Sequence, residues 1–181
     1  MEYGEGNDLA VILFSGHGAL LGEGSKEFYL LPSDVDTRTE IIPLHAIAVS
    51  EFKKRLDSIA LKGRVLVLLD ACHSGGAMSD GTPLAVNGDV LREALAASNV
   101  SILTSSSKNE TSREDVAWKH GAFTEVLLQA LGGSADKDHN GRLSISELAE
   151  YMTENLPLLT DGKQTPGVAL RFLSDALATN Q

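Results

Sequence analysis

The only cysteine of the chain, Cys72, is the residue whose type most directly suggests chemistry, because a thiolate is a strong nucleophile. It lies in residues 70–76, DACHSGG, directly after an apolar run. His17 lies in residues 15–18, SGHG, directly after another apolar run. A nearby imidazole favours the thiolate and can return its proton to a leaving amine. We therefore predict that His17 is a base and Cys72 a nucleophile.

Glycines flank both residues and would leave room for a substrate backbone: Gly16 and Gly18 around His17, and Gly75 with Gly76 after Cys72. Backbone N–H groups at such turns can hold a developing oxyanion. We predict that the N–H groups of Gly18 and Cys72 do so. The alternative is that the cysteine is a small buried hydrophobic residue, and that the histidine is structural or exposed.

Three short apolar runs would position these residues, and they occupy residues 9–14 (LAVILF), 64–69 (RVLVLL) and 100–104 (VSILT). Such runs are typical of strands that are buried on both faces of a parallel sheet. Functional groups of open α/β sheets gather beyond the carboxyl ends of the strands. His17 and Cys72 are therefore expected just past two strand ends, on one rim of the sheet.

Helical patterns alternate with these runs, and a further strand is predicted near the end of the chain. The alternation predicts an α/β fold with a sheet of mainly parallel strands and helices on both faces. Ser50 is the predicted N-cap of the first helix. The helices are predicted at residues 50–59, 89–97, 121–131 and 146–155, and the last strand at residues 168–173.

Residues 15–18 and 70–75 resemble the two motifs of the caspase-like superfamily of cysteine proteases, in the form found in metacaspases and bacterial orthocaspases. Residues 104–110 and 121–124 (GAFT) are also similar to bacterial members. The resemblance covers residues 9–173 and implies a caspase-like catalytic domain over residues 1–181. It also implies that the first strands of the usual domain are lacking. Three alternatives are open: the sequence is a fragment of a longer chain, a partner chain supplies the strands, or the sheet is incomplete.

By this resemblance, Asp70 lies in the pocket for the side chain that precedes the scissile bond, and Ser15 lines the same pocket. A carboxylate there would pair with Arg or Lys. The resemblance thus implies an endopeptidase that acts on peptides and proteins after Arg or Lys. The alternative is that Asp70 only orients a loop or His73. Candidates for self-cleavage are the exposed basic residues Lys108, Arg113 and Lys119.

A second motif occupies residues 136–147, which fit the EF-hand pattern D-x-[DN]-x-[DN]-G-x5-E at every constrained position. Its spacing wraps oxygen ligands around one calcium ion, and a glycine permits the sharp turn. The predicted ligands are Asp136, Asp138, Asn140, the Arg142 carbonyl, Ser144 and Glu147. The alternative is a solvated turn that caps the next helix at Ser146. Whether calcium would gate catalysis is left open.

The composition narrows the classes of function. The net charge is −10 with 15 Lys and Arg residues and no dense basic cluster, so a nucleic-acid partner is not expected. No apolar run approaches the roughly 18 residues of a membrane helix, and a single cysteine fits a reducing, cytoplasmic location. No organic cofactor is expected. The competing hypothesis is a non-catalytic caspase-like module that binds partners or responds to calcium.

Overall fold

The structure, a computed structural model, describes residues 8–21, 27–71, 88–97, 99–107, 110, 114–115, 118–172 and 176–178. Its strands are β1 (Leu9–Leu21), β2 (Glu27–Leu31), β3 (Ile47–Ala48), β4 (Arg64–Ala71), β5 (Val100–Thr104), β6 (Glu114–Asp115), β7 (His120–Gly121), β8 (Arg142–Ser144), β9 (Gly167–Ala169) and β10 (Ala176–Ala178). Its helices are α1 (Ile42–His45), α2 (Val49–Ala60), α3 (Gly88–Ala94), α4 (Ala122–Gln129) and α5 (Ile145–Leu159). A π turn over Ala130–Ser134 follows α4.

A six-stranded mixed sheet, in the order β3-β2-β1-β4-β5-β9, organises the fold. Its central strands β1, β4 and β5 are parallel, as expected for apolar runs joined through helices. The outer strands β2, β3 and β9 pair in antiparallel fashion. The predicted α/β class is therefore confirmed, with the parallel strands confined to the centre of the sheet.

Helices cover both faces of the sheet, because the residues of β4 alternate between two apolar layers. Leu66 and Leu68 pack in one layer with α4 and α5, around the fully buried Phe123. Val65 and Val67 pack in the other layer with α2 and α3. This arrangement holds β4 rigidly, and β4 leads directly to Cys72.

Strand β1 differs from the prediction in two ways. It does not end before residues 15–18 but runs on to Leu21, because residues 17–21 pair with β2. It is also not buried on both faces, since Val11 and Leu13 are 48% and 51% exposed. Among the described residues, no strand pairs with residues 9–16 on the side of β1 away from β4.

Two predicted helix starts are also corrected. The N-cap of α2 is Ala48 and not Ser50, whose backbone N–H donates a 3.1 Å hydrogen bond to Glu27 Oε1 from β2. The N-cap of α5 is Ser144 and not Ser146. No described helix is both long enough and apolar enough to cross a bilayer.

Candidate active site

The ladder between β1 and β4 brings the two predicted motifs side by side. Ser15 lies opposite Asp70, and Gly16 lies opposite Ala71, which is the last described residue of β4. In the sequence, His17 follows Gly16 and Cys72 follows Ala71. Cys72 itself lies outside the described residues. The register thus brings the two motifs to one rim, although His17 lies inside β1 and not past its end.

Ser15, His17 and Asp70 belong to one face of the sheet. Partners across a parallel ladder share a face, and residues two apart along a strand do too. Ser15 and His17 are exposed on this face. The same face carries Leu66 and Leu68, which pack against α4. On this face, the exposed polar residues Ser15 and His17 therefore lie beyond the apolar residues that α4 covers.

Asp70 is only 7% exposed, and the start of α4 lies against its carboxylate. Thr124 Oγ1 donates a 2.6 Å hydrogen bond to Asp70 Oδ2. Gly121, the N-cap of α4, lies so close that a Cβ there would be 3.0 Å from the same oxygen. Negative charge is favoured at a helix N-terminus. The carboxylate is therefore held by α4 rather than left to solvent.

Gly18, the other predicted oxyanion donor, is buried in β1 opposite Leu30 of β2. Its role stays a prediction, as does that of the Cys72 N–H group. His73 also lies outside the described residues, so the alternative in which Asp70 orients it stays a prediction as well.

A third side of the rim is formed by the residues that follow β5. The Ser105 N–H donates to the Leu69 carbonyl of β4 at 2.8 Å, and the fully buried Gln164 donates through Nε2 to the Ser105 carbonyl at 2.6 Å. The Glu110 carboxylate accepts hydrogen bonds from the N–H and hydroxyl of Thr165, at 2.7 and 2.5 Å. The chain after α5 is thereby fastened to the carboxyl end of β5.

The acidic loop, residues 136–147, brings three of its predicted metal ligands together. Carboxylate oxygens of Asp136, Asp138 and Glu147 lie within 4.8 Å of one another. The N–H of Gly141 donates to Asp136, and the φ of Gly141 is 75°, which only glycine adopts readily. Oxygen donors in this arrangement suit calcium, so the residues present fit the ion.

Glu147 also belongs to the start of α5. Its side chain accepts hydrogen bonds from the N–H and hydroxyl of Ser144, while Ser144 Oγ accepts from the Glu147 N–H. The Ser144 hydroxyl is the main cause that holds the pKa of Glu147 below its ordinary value. This reciprocal cap keeps Glu147 charged beside the two aspartates.

The comparisons with known proteins settle the family. The profile of the caspase domain matches residues 1–177. The chain belongs to the caspase-domain family. Members of this family are generally cysteine peptidases. No curated protein matches the sequence.

The caspase domain also has a solved structural neighbour, protein GSU0716 from Geobacter sulfurreducens, a structural genomics target. The two share 20% sequence identity with a TM-score of 0.59, over 99% of this chain and 69% of the neighbour. At this identity the likeness concerns the fold alone, and it agrees with the observed sheet.

Sequence reasoning missed three residues that shape the site of this caspase domain: Thr124, Gln164 and Glu110. Thr124 and Glu110 lie in segments that carry the family resemblance, but no local pattern shows which groups they contact. Gln164 carries no signal at all, because a buried amide is recognised only from its partner far along the chain.

Proposed function

We propose that this chain is a cysteine endopeptidase that cleaves peptide bonds after Arg or Lys through His17 and Cys72. The observation that carries the proposal is the Gly16–Ala71 pair of the β1–β4 ladder. The residues that follow this pair in the sequence are His17 and Cys72, the proposed base and nucleophile. Family membership supports the same class of reaction.

The proposed reaction uses only groups of the chain and water. His17 takes the thiol proton of Cys72, and the thiolate attacks the scissile carbonyl. N–H groups at Gly18 and Cys72 would hold the negative oxygen of the tetrahedral intermediate. When the C–N bond breaks, His17 gives its proton to the departing amine and a thioester remains. Water, deprotonated by His17, then releases the acid and restores the thiol.

Asp70 supports the preference for a basic residue before the scissile bond. Its carboxylate lies on the same sheet face as His17, and it is nearly buried. A partly desolvated carboxylate attracts a cation more strongly than one in water, and a guanidinium can engage both oxygens. Ser15, its exposed partner in the ladder, is placed to line the same pocket.

The test compares fluorogenic peptides that end in Arg, Lys or Asp, with wild type, Cys72→Ala and His17→Ala. His45→Ala is the matched control, because His45 is an exposed histidine on α1. We expect cleavage after Arg and Lys that disappears in the first two variants and persists in His45→Ala. Cleavage after Asp, or activity retained in Cys72→Ala, would refute the proposal.

A second candidate function is a non-catalytic module that binds a partner. It is favoured by β1, whose residues 9–16 have one unpaired side among the described strands and carry the exposed Val11 and Leu13. Such an edge can accept an added strand, and a chain that supplies further strands is the proposed partner there. Labelling with a thiol-reactive peptide ending in Arg separates the hypotheses, since only the enzyme should react rapidly at Cys72.

We also propose that residues 136–147 bind calcium, with the EF-hand spacing and the converging carboxylates in support. Expected affinities span about 10⁻⁶ to 10⁻³ M for such loops. Calorimetric titration of wild type should show one calcium site that is lost in Glu147→Gln and kept in Glu51→Gln, which changes an exposed residue of α2 outside the loop. Equal binding by both variants would refute the site. No organic cofactor is proposed.

Self-cleavage and location are the subjects of two smaller proposals. Self-cleavage is proposed in the segment 105–120, where Lys119 is exposed and adopts a φ of 62° just before β7. Lys108 and Arg113, the other candidates, lie outside the described residues. Because a single cysteine fits a reducing compartment, we propose a cytoplasmic location. Mass spectrometry of the freshly purified protein and its Cys72→Ala variant would reveal the cleavage position.

A further inference from the structure

The environment of the Asp70 carboxylate contains a feature that the proposed mechanism does not use. This side chain lies on the face that carries His17, yet the first turn of α4 already contacts its carboxylate. Thr124 Oγ1 donates to Oδ2 at 2.6 Å, a distance typical of the strong hydrogen bonds that hydroxyls donate to carboxylates. One oxygen of the proposed pocket is therefore already engaged by a neutral donor.

The donor stands on a rigid support. Ala122 and Phe123, the two residues before Thr124, are fully buried, and Val126 and Leu127 on the next turn are 1% and 2% exposed. Because the helix backbone is held by this packing, the Thr124 hydroxyl can occupy only the few positions that its χ1 rotamers allow. The hydrogen bond thus fixes the rotation of the Asp70 carboxylate about its χ2 angle, a torsion that is otherwise broad.

Fixing this rotation matters differently for the two basic side chains. A guanidinium is planar and pairs best with a carboxylate that presents its oxygens in a matching plane, whereas an ammonium behaves as a point charge with freely rotating donors. A carboxylate that is free to turn loses more affinity for Arg than for Lys. Preorganisation of this kind favours binding without adding a contact to the substrate.

We propose that Thr124 is a positioning residue for substrate specificity: its hydroxyl orients Asp70 so that the pocket prefers Arg over Lys. The inference rests on the proposed peptidase function. The competing explanation is that Asp70 and Thr124 only stabilise the start of α4. That explanation predicts a change in thermal stability, but no change in the preference between two substrates.

The test uses Thr124→Val, which keeps the shape and removes the hydroxyl, and Thr124→Ser, which restores it. Thr153→Val is the matched control, because the Thr153 hydroxyl also donates a hydrogen bond, at 2.7 Å, but to a carbonyl within α5. We expect Thr124→Val to raise KM for Arg peptides about tenfold, with kcat within about twofold of wild type. The Arg-to-Lys ratio of kcat/KM should fall, and Thr124→Ser should return it to near the wild-type value.

The outcomes separate this inference from the function on which it rests. If wild type fails to cleave after Arg, the proposed function fails, and with it this inference. If wild type cleaves and Thr124→Val keeps the Arg-to-Lys ratio, only the inference is overturned. A ratio that changes equally in Thr153→Val also overturns it. Should Thr124→Val fold poorly, the affinities of Cys72→Ala for Arg and Lys peptides, measured with and without Thr124→Ala, give the same decision: about tenfold weaker Arg binding is expected, with Lys binding little changed.

Discussion

Replacing Gly121 by alanine tests how tightly α4 lies against the Asp70 carboxylate. A Cβ at this position would be 3.0 Å from Oδ2, 3.5 Å from Oδ1 and 3.6 Å from Cγ of Asp70. The backbone of Gly121 has φ −73° and ψ 156°, which alanine adopts without strain. The added methyl group therefore acts on the carboxylate and not on the main chain, and the carboxylate must retreat by a few tenths of an ångström.

Opposing effects keep the stability of Gly121→Ala close to that of wild type. Loss of backbone freedom in the unfolded chain favours the variant by about 0.4–1 kcal/mol. Alanine is a poorer N-cap than glycine, which costs on the order of 0.5–1 kcal/mol. Lengthening of the Thr124–Asp70 hydrogen bond costs on the order of 1 kcal/mol. The net loss of about 1 kcal/mol lowers Tm by about 2–4 °C.

Activity should fall together with stability, by a comparable free energy. We expect kcat/KM for Arg peptides to fall about tenfold in Gly121→Ala, because the displaced carboxylate no longer matches the guanidinium. Gly132→Ala in the π turn is the control, since no atom lies within 4 Å of the position that its added methyl group would occupy, and its activity should be unchanged. Unchanged Arg kinetics in Gly121→Ala, with Asp70 undisplaced in a crystal structure of the variant, would refute the reasoning.

The remaining predictions concern the core, the acidic loop and one surface pair. Phe123→Ala should cost about 3–5 kcal/mol in urea unfolding because the ring is fully buried, whereas Leu128→Ala, at a position 53% exposed, should stay within about 0.5 kcal/mol. Calcium at a hundredfold excess over its Kd should stabilise wild type by about 2.7 kcal/mol, or about 5–10 °C in Tm, and a similar rise in Glu147→Gln would contradict the site. The hydrogen bond from the Arg38 side chain holds the pKa of Asp36 below its ordinary value. Arg38→Ala should therefore raise the pKa of Asp36, which an NMR titration measures. The stability from this pair is present above the unfolded pKa of Asp36 and is lost as the pH falls through the lowered value.

Strands β4 and β5 could be predicted because they are buried on both faces of the sheet and therefore consist mainly of apolar residues. Long apolar runs mark β4 and β5, and β5 occupies the predicted residues 100–104. The extent of β1 could not be predicted in the same way. Its second half pairs with β2, and glycines that usually end a strand continue it when a neighbour supplies the ladder.

The candidate site shows the same contrast between features with a local sequence pattern and contacts between residues far apart in sequence. The two motifs were predicted to meet beyond the carboxyl ends of the strands, and the structure pairs their described residues Ser15 and Gly16 with Asp70 and Ala71. The Thr124–Asp70 contact joins residues far apart in sequence, so nothing near either residue indicates it. The predicted N-cap of α2 was wrong for a related reason. Ser50 is a good capping residue by type, but its backbone N–H donates to the Glu27 carboxylate, which belongs to a distant part of the sequence.

Helix α4 joins the two proposed sites. Its first turn holds the Asp70 carboxylate, and its far end passes through the π turn to Asp136 of the acidic loop. Sites that share one element can be coupled, and such coupling is reciprocal: the factor by which calcium changes peptide affinity equals the factor by which peptide changes calcium affinity. A calcium titration of Cys72→Ala with and without a bound Arg peptide therefore measures how calcium changes substrate binding, without a single turnover.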